Sequence, residues 1–443
     1  MGNIIDNSPW TQVTILGFVT FCSVGMYSAI SGLGAGGTQD PQLSDIAHGA
    51  LYDCFAISGF FAGSVNNLLG PRLTLSLGST GYSLYIGALW AFQLHGTRWF
   101  LILAGAFLGV SAALFWAAQG AIMMAYPLEK DRGRAFSLTW SIFQLGVLVG
   151  AAIAVGIQTN STLPNVSTAV YLVFMIIMLT AILTSWLILP PHLVVRKDGT
   201  FVQVETLPSP RQEFYAFIQQ LHDWRLIALF PMFFSSNYFY AYQGALTQFL
   251  FTGRARALAS LLTGVGSILG SLLFGFVTDQ VSPSRRSRAL TGWCGLGAEL
   301  LRVVVRYSVA GAVYKAEHDP PGTSVAVGLD SFAVLCAIAT FLARMAGYYK
   351  DVQSAGNAIS YGMDAVKTPF LTEFIVSWGL LLISMPLSFW VIWKVRKEAD
   401  QDVEVVVTAD DVDSKVAGAP ADNDQTVVSD GNKPVHAAGK ERE

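Results

Sequence analysis

Apolar residues in this chain fall in runs of about 18 to 25, separated by short polar stretches. Runs of that length match the roughly 30 Å hydrocarbon core of a bilayer crossed by an α-helix. Twelve runs are found, at approximately 10–31, 47–69, 73–94, 99–124, 135–157, 169–189, 225–250, 258–278, 289–313, 323–340, 345–366 and 370–393. The pattern predicts an all-α polytopic membrane protein, with the lipid bilayer as the partner of most of its surface. Composition agrees, at 53% hydrophobic and 13% charged residues. The tail after Lys397 is rich in Asp, Glu, Val, Ala, Gly and Asn and contains no aromatic residue, which predicts a disordered acidic segment.

Basic charge is placed rather than abundant, so nothing suggests nucleic acid as a partner. Loops after even-numbered runs carry Arg72, Lys130, Arg132, Arg134, Arg196, Lys197, Arg211, Arg285, Arg286 and Arg288, and Lys394, Arg396 and Lys397 follow the last run. The opposite loops hold Arg98, Arg254, Arg256, Lys315 and Lys367. This asymmetry predicts that the first set, and both termini, are cytosolic. The sequons Asn160-Ser-Thr and Asn165-Val-Ser lie between runs five and six, on the predicted lumenal side, and are the candidate glycosylation sites. The predicted organisation is a cytosolic N-terminus (1–9), a six-helix half (10–189), a cytosolic linker (190–224), a second six-helix half (225–393) and the acidic tail (394–443). The linker carries Pro-Pro, a charged strip and an expected short surface helix at 211–221. No cleavable signal peptide is expected, and the first run would serve as an uncleaved anchor in the plasma membrane or an endomembrane.

Candidate chemistry is sparse. Gly32-Leu-Gly34-Ala-Gly36-Gly37 satisfies the dinucleotide fingerprint, but it follows a membrane helix rather than a strand and opens no helix, so a glycine-rich turn is the better reading. Cys22, Cys54, Cys294 and Cys336 sit at unrelated spacings in apolar runs, and the six histidines are scattered. No metal site, cofactor or enzyme is predicted. Polar residues inside the runs are more informative, because a charged group there costs about 2.5–3.5 kcal/mol on insertion scales and usually faces a cavity or a partner. Asp53 lies about two turns into the second run. Glu299, Arg302 and Arg306 share one face of the ninth, with Glu299 able to pair with Arg302. Asn237, Tyr240 and Gln243 in the seventh, with Trp116, Gln119, Trp140 and Gln144 in the fourth and fifth, either line a central cavity or bond helix to helix. Gly105 and Gly109, Gly146 and Gly150, and Gly266 and Gly270 form small-xxx-small pairs suited to close helix crossings.

One polar stretch occurs twice. GSVNNLLGPR, from Gly63 through Asn67 and Gly70 to Arg72, is echoed about 210 residues later by GFVTDQVSPSRRSR, which keeps Gly275 and Asp279 and is interrupted by Pro283. The first copy resembles the G-x-x-x-[DN]-x-x-G-x-[RK] turn of the major facilitator superfamily, with Asn67 in place of the usual Asp. WTQVTILGFVTFCSVGMYSAISGLGAGG, ALYDCFAISGFFAGSVNNLLGPRLTLSLGSTGYSLYIGAL, GAFLGVSAALFWAAQGAIMMAYP, FFSSNYFYAYQ and GYYKDVQSAG look like the Unc-93-like branch of that superfamily, nearest its fungal members. The resemblance covers roughly residues 9–395. It implies a twelve-helix facilitator fold of two pseudo-symmetric six-helix halves, without bound cofactor. Some relatives regulate potassium channels or escort receptors, others are linked to solute or ion movement, and fungal members sometimes accompany secondary-metabolite pathways. Asp53 stands where a small or hydroxyl residue is expected, and the segment 330–347 is shorter than in relatives.

Two functions follow. One is a facilitator that moves a small solute, such as a secondary metabolite, or an ion by alternating access. Gln119, Gln144, Asn237, Tyr240, Gln243 and Glu299 would line its cavity, and Gly63, Asn67, Gly70, Arg72, Gly275 and Asp279 would govern closure near Lys350 and Asp351. The other is a non-transporting subunit or escort of another membrane protein.

Overall fold

A computed structural model describes residues 6–32, 40–128, 131–158, 166–196, 199–202, 222–250, 253–277, 287, 289–295 and 346–394. Most of runs nine and ten, and with them Glu299, lie outside these residues. So do Asp279, Asn160, Asn165, the expected surface helix at 211–221 and the acidic tail.

Helix α1 (Pro9–Ser31) contains one π turn, Phe21–Gly25. The helical stretch Pro41–His95 is broken at Gly70, and its arms are numbered α2 (41–69) and α3 (71–95). Then come α4 (Arg98–Ala125), α5 (Arg132–Gln158) and α6 (Thr168–Ser185). After the loop come α7 (Trp224–Ser235), α8 (Phe239–Leu250), α9 (Gly253–Phe276), α10 (Ala346–Ala365) and α11 (Phe370–Trp393). Among the described residues, five helices meet both the length and the hydropathy needed to cross a bilayer: α1, α4, α5, α6 and α11. Leu103, Leu183, Leu269 and Ile383 remain well exposed on helix exteriors, as expected of side chains that meet lipid instead of water. The protein is a multi-pass integral membrane protein.

The break at Gly70 follows from two adjacent residues. Gly70 has φ 78° and ψ 161°, a conformation that favours a residue without Cβ, and Pro71 disfavours a helical ψ at the position before it. Proline then starts α3 with its φ already set. Arg72 reaches from this turn to the Ile188 carbonyl, 2.8 Å from Nε. The same end of the bundle is tied by further long-range bonds. Gln12 Oε1 accepts from the Leu189 amide (2.8 Å), the Tyr126 hydroxyl donates to the Leu189 carbonyl (2.7 Å), and Arg196 Nη2 donates to the Ala125 carbonyl (2.6 Å). Arg72 and Arg196 thus occupy carbonyls left open where α4 and α6 terminate, a favourable position for a cation. Val194 and Val202, in the expected linker, are buried here.

Two hydrophobic cores form, one from residues between Leu16 and Val202 and one from residues between Leu226 and Val391. In the first, α4 approaches α2 closely at two glycines. A Cβ on Gly105 would sit 2.5 Å from the Ala47 carbonyl oxygen, and one on Gly109 would overlap that of Leu51. A Cβ on Gly63, in the turn expected to govern closure, would meet nothing within 4 Å, and the residue is exposed. The close contact lies one turn earlier, at Gly59, where a Cβ would overlap the Asp351 carboxylate of α10. Pro231 stays inside α7. The break comes at 236–238, where Ser235 Oγ takes the Pro231 carbonyl (2.7 Å) and backbone bonds shift to i−3 partners.

Among the described residues, two helix pairs carry hydrogen bonds or close approaches between the two parts of the bundle. Helices α2 and α10 run antiparallel, from Gln42 Nε2 donating to the Ala365 carbonyl (3.4 Å) down to Gly59 against Asp351. Helices α5 and α9 meet through Ser137 Oγ donating to the Ser271 carbonyl (2.6 Å) and the Ser141 and Ser271 hydroxyls 2.7 Å apart. In the twelve-run count these are runs two with eleven and five with eight, the same contact repeated once by a shift of six runs.

Gly109→Val should lower the thermal unfolding temperature of the detergent-purified protein by an amount corresponding to about 1–3 kcal/mol, because the added bulk meets backbone. Gly63→Ala should leave it unchanged or raise it slightly, by about 0.5–1 kcal/mol, as for an unobstructed helical glycine. Equal losses from both would contradict this packing.

Candidate functional site

Polar and aromatic side chains converge where α10 faces α4, α2 and the α7–α8 break. Lys350 Nζ lies 4.3 Å from the ring centroid of Trp116 on α4 and 5.3 Å from that of Tyr349. It donates to Gln353 Oε1 at 2.9 Å, one helical turn along α10. The Gln353 amide in turn donates to Ser236 Oγ (2.9 Å), in the α7–α8 break, and to the Tyr349 hydroxyl. Glutamine suits this junction because it supplies an acceptor for the ammonium and donors for two hydroxyls.

A row of aromatic rings continues from there through the bundle. Trp116 is 6.0 Å from Phe115 and 6.4 Å from Trp140, and Phe115 is 5.7 Å from Tyr82. Tyr82 leads through Tyr27 (5.7 Å) to Tyr85 (5.7 Å) and His48 (6.1 Å from Tyr85). Tyr361 of α10 stacks on His48 and Tyr52 of α2, at 5.0 and 5.5 Å. Asn357 lies one turn before Tyr361 on α10. Its Oδ1 is buried without a hydrogen-bond partner. Trp116, Lys350, Tyr52, Tyr240 and Tyr361 all remain partly exposed although they lie inside the bundle.

The residues expected from sequence are distributed around this site. Gln119 is buried on α4, three residues from Trp116, and Gln144 is partly buried on α5, one turn from Trp140. Tyr240, at the start of α8, is partly buried against the second core, its ring 4.7 Å from that of Phe239. Asn237 lies in the α7–α8 break, where its carbonyl accepts from the Tyr240 amide (3.0 Å), and Gln243 is partly buried on α8. Asn67 is exposed in the turn, whereas Asn66 beside it is buried with Oδ1 unpartnered. Gly275 is part of α9. The α2 residue that packs on Asp351 is Gly59, one turn before Gly63. Sequence reasoning treated Lys350 as a helix-end charge and passed over Gln353 and Asn357. A lysine and two amides inside GYYKDVQSAGN were the available signal.

This path of helices, with paired contacts two–eleven and five–eight, has the fold of the major facilitator superfamily. The chain superposes on the partially occluded inward-open xylose transporter XylE from E. coli with TM-score 0.58 at 13% identity, over 87% of this chain and 97% of that one, a likeness of fold alone. Sequence fixes the family within that class. The chain belongs to the UNC-93 family, whose sequence model, described as ion channel regulatory protein UNC-93, matches residues 46–306. It is 34% identical over 427 residues to UNC93-like protein C922.05c of Schizosaccharomyces pombe, covering 90% of this chain and 84% of that protein. It is 33% identical to UNC93-like protein 1 of Arabidopsis thaliana (89% and 93%). Against the notoamide biosynthesis cluster protein O' of Aspergillus versicolor it is 25% identical (87% and 88%).

Gln353→Leu should destabilise the protein by about 1–3 kcal/mol in thermal unfolding, because Lys350 loses its amide acceptor and two hydroxyls lose a donor. A variant as stable as the wild type would show that these bonds are replaced by water.

Proposed function

We propose that this protein is a transporter, moving a small solute by rocking its two halves about the site between α4, α2, α10 and the α7–α8 break. The observation that carries this reading is the Lys350–Gln353–Ser236 junction set against Trp116. It is a polar and aromatic surface inside a membrane bundle, contributed by helices of both cores and still partly open. Gln119, Gln144, Asn237, Tyr240, Gln243 and Glu299 belong to the wall of the same space. The Gly63–Arg72 turn, with Gly70 and Asn67, and its echo at Gly275 and Asp279 act on the cytosolic closure. In this reading the end carrying Arg72 and Arg196 is cytosolic, as are both termini, and Asn160 and Asn165 are glycosylated on the opposite side. The six-helix halves at 10–189 and 225–393 are the moving bodies. A relative named for a biosynthesis cluster supports an organic cargo, a secondary metabolite exported from its producer.

A second reading, a non-transporting subunit of another membrane protein, has its own observation. Asp53 is exposed on a face of α2 that also exposes Ile57, Phe60 and Phe61, and a carboxylate facing lipid is costly unless a partner covers it. The family description, ion channel regulatory protein, points the same way. Asp53→Leu would then abolish co-purification of a partner while leaving the chain folded.

The transport reading is tested at the α2–α10 contact. In a protein lacking its own cysteines, a Gln42→Cys/Ala365→Cys pair joined by a short bifunctional thiol reagent should reduce solute flux in proteoliposomes by about an order of magnitude, with recovery on reduction of a cleavable linker, because rocking requires this contact to open. Flux that persists through complete cross-linking contradicts the mechanism.

A further inference from the structure

We propose that the site takes an organic anion with a flat aromatic body, such as an aromatic carboxylate, with its charge on Lys350 and its ring beside Trp116. The inference rests on the transport reading for the fate of the ligand, though not for its binding. Three observations carry it.

The first is an unfilled set of donors. An ammonium has three N–H groups, and only the bond to Gln353 Oε1 is made. The other two have no acceptor among the described residues. Among the described residues no carboxylate forms an ion pair with Lys350. Asp351, next in sequence, projects roughly 100° round the helix and packs on Gly59 of α2. Lys350 therefore has no hydrogen-bonded counter-ion among the described residues. A carboxylate ligand would supply one and fill both open donors.

The second is accessibility. Lys350 and Trp116 each keep part of their surface accessible although they lie inside the bundle. The third is the surface next to the charge. Trp116 packs edge-on against Phe115 at 6.0 Å, and Trp140 stands 6.4 Å beyond it, stacked on Phe136 at 5.3 Å. Rigid aromatic faces favour a flat π-bearing partner in offset or edge-on contact. A sugar would ask for several amide and hydroxyl partners around one ring, whereas Gln353 is already committed to three groups. A cation would have to approach an ammonium.

The test uses the full chain in nanodiscs and isothermal titration with 1-naphthoate, against 1-naphthylmethylammonium and acetate as probes differing in charge and ring. The expected order is naphthoate bound at least about ten times more tightly than either control, with a loss of about tenfold or more in Lys350→Met and retention in Lys350→Arg, as for a charge-assisted hydrogen bond. Gln353→Glu, which gives Lys350 an internal counter-ion, should weaken naphthoate binding while the protein stays folded. Because the probe series is run on the wild type, it decides the matter even if a variant fails to fold. Equal binding of the cation, no binding of naphthoate, or naphthoate affinity unchanged in a folded Lys350→Met overturns the inference. Proteoliposome flux separates the two claims. Lys350-dependent binding without gradient-driven flux leaves this ligand class standing and removes the transport reading. Flux of another solute, indifferent to Lys350→Met, removes the ligand class and leaves transport standing.

Discussion

Within a bilayer, hydrocarbon outside the protein is as apolar as hydrocarbon inside it, so helices cannot be held together by withdrawal from water. What remains is close packing and interhelical hydrogen bonding. The α2–α4 crossing shows what that requires. Gly105 and Gly109 bring one backbone onto the carbonyls of another, a distance that any Cβ would prevent. From that fixed pair the rest of the first core is laid out. Helix α3 leaves α2 at Gly70, α6 is tied back by Arg72 and Tyr126, and α1 is bound to the end of α6 by Gln12. The face of α2 left over is the one on which α10 lies.

The contact between the cores is built differently from the cores themselves. Within each core, apolar side chains and small residues dominate. Between them stand hydroxyl pairs on α5 and α9 and stacked rings on α2 and α10. Such contacts are sufficient to hold a position and modest enough to be exchanged, which suits surfaces that separate and re-form. The ammonium of Lys350 sits at this contact, where its cost in a low-dielectric interior is offset by one amide oxygen and the face of an indole.

Fold and function separate at the level of family. A facilitator fold positions a site between two bodies, and members of one fold use that site for different ends or cease to use it. Membership of the UNC-93 family therefore defines the scaffold, while the residues around Lys350 and the exposed face at Asp53 are where this chain's own activity is to be read.

Hydropathy runs and the distribution of Lys and Arg were enough to establish a polytopic helical protein and to mark Gly70 and Arg72 as a turn, because bilayer thickness and backbone stereochemistry act locally on the chain. The small-xxx-small pair at Gly105 and Gly109 was legible for the same reason, since its spacing is that of one helix face. Sequence could not say which glycine of α2 would meet α10, and the choice of Gly59 over Gly63 depends on how far the helices slide past each other. Nor could it gather Trp116, Tyr82, Ser236, Lys350 and Gln353, which come from four parts of the chain and share no periodicity. Their meeting was decided by the tertiary structure, because cation–π contacts and hydrogen bonds act over a few ångströms in space and are indifferent to separation along the chain.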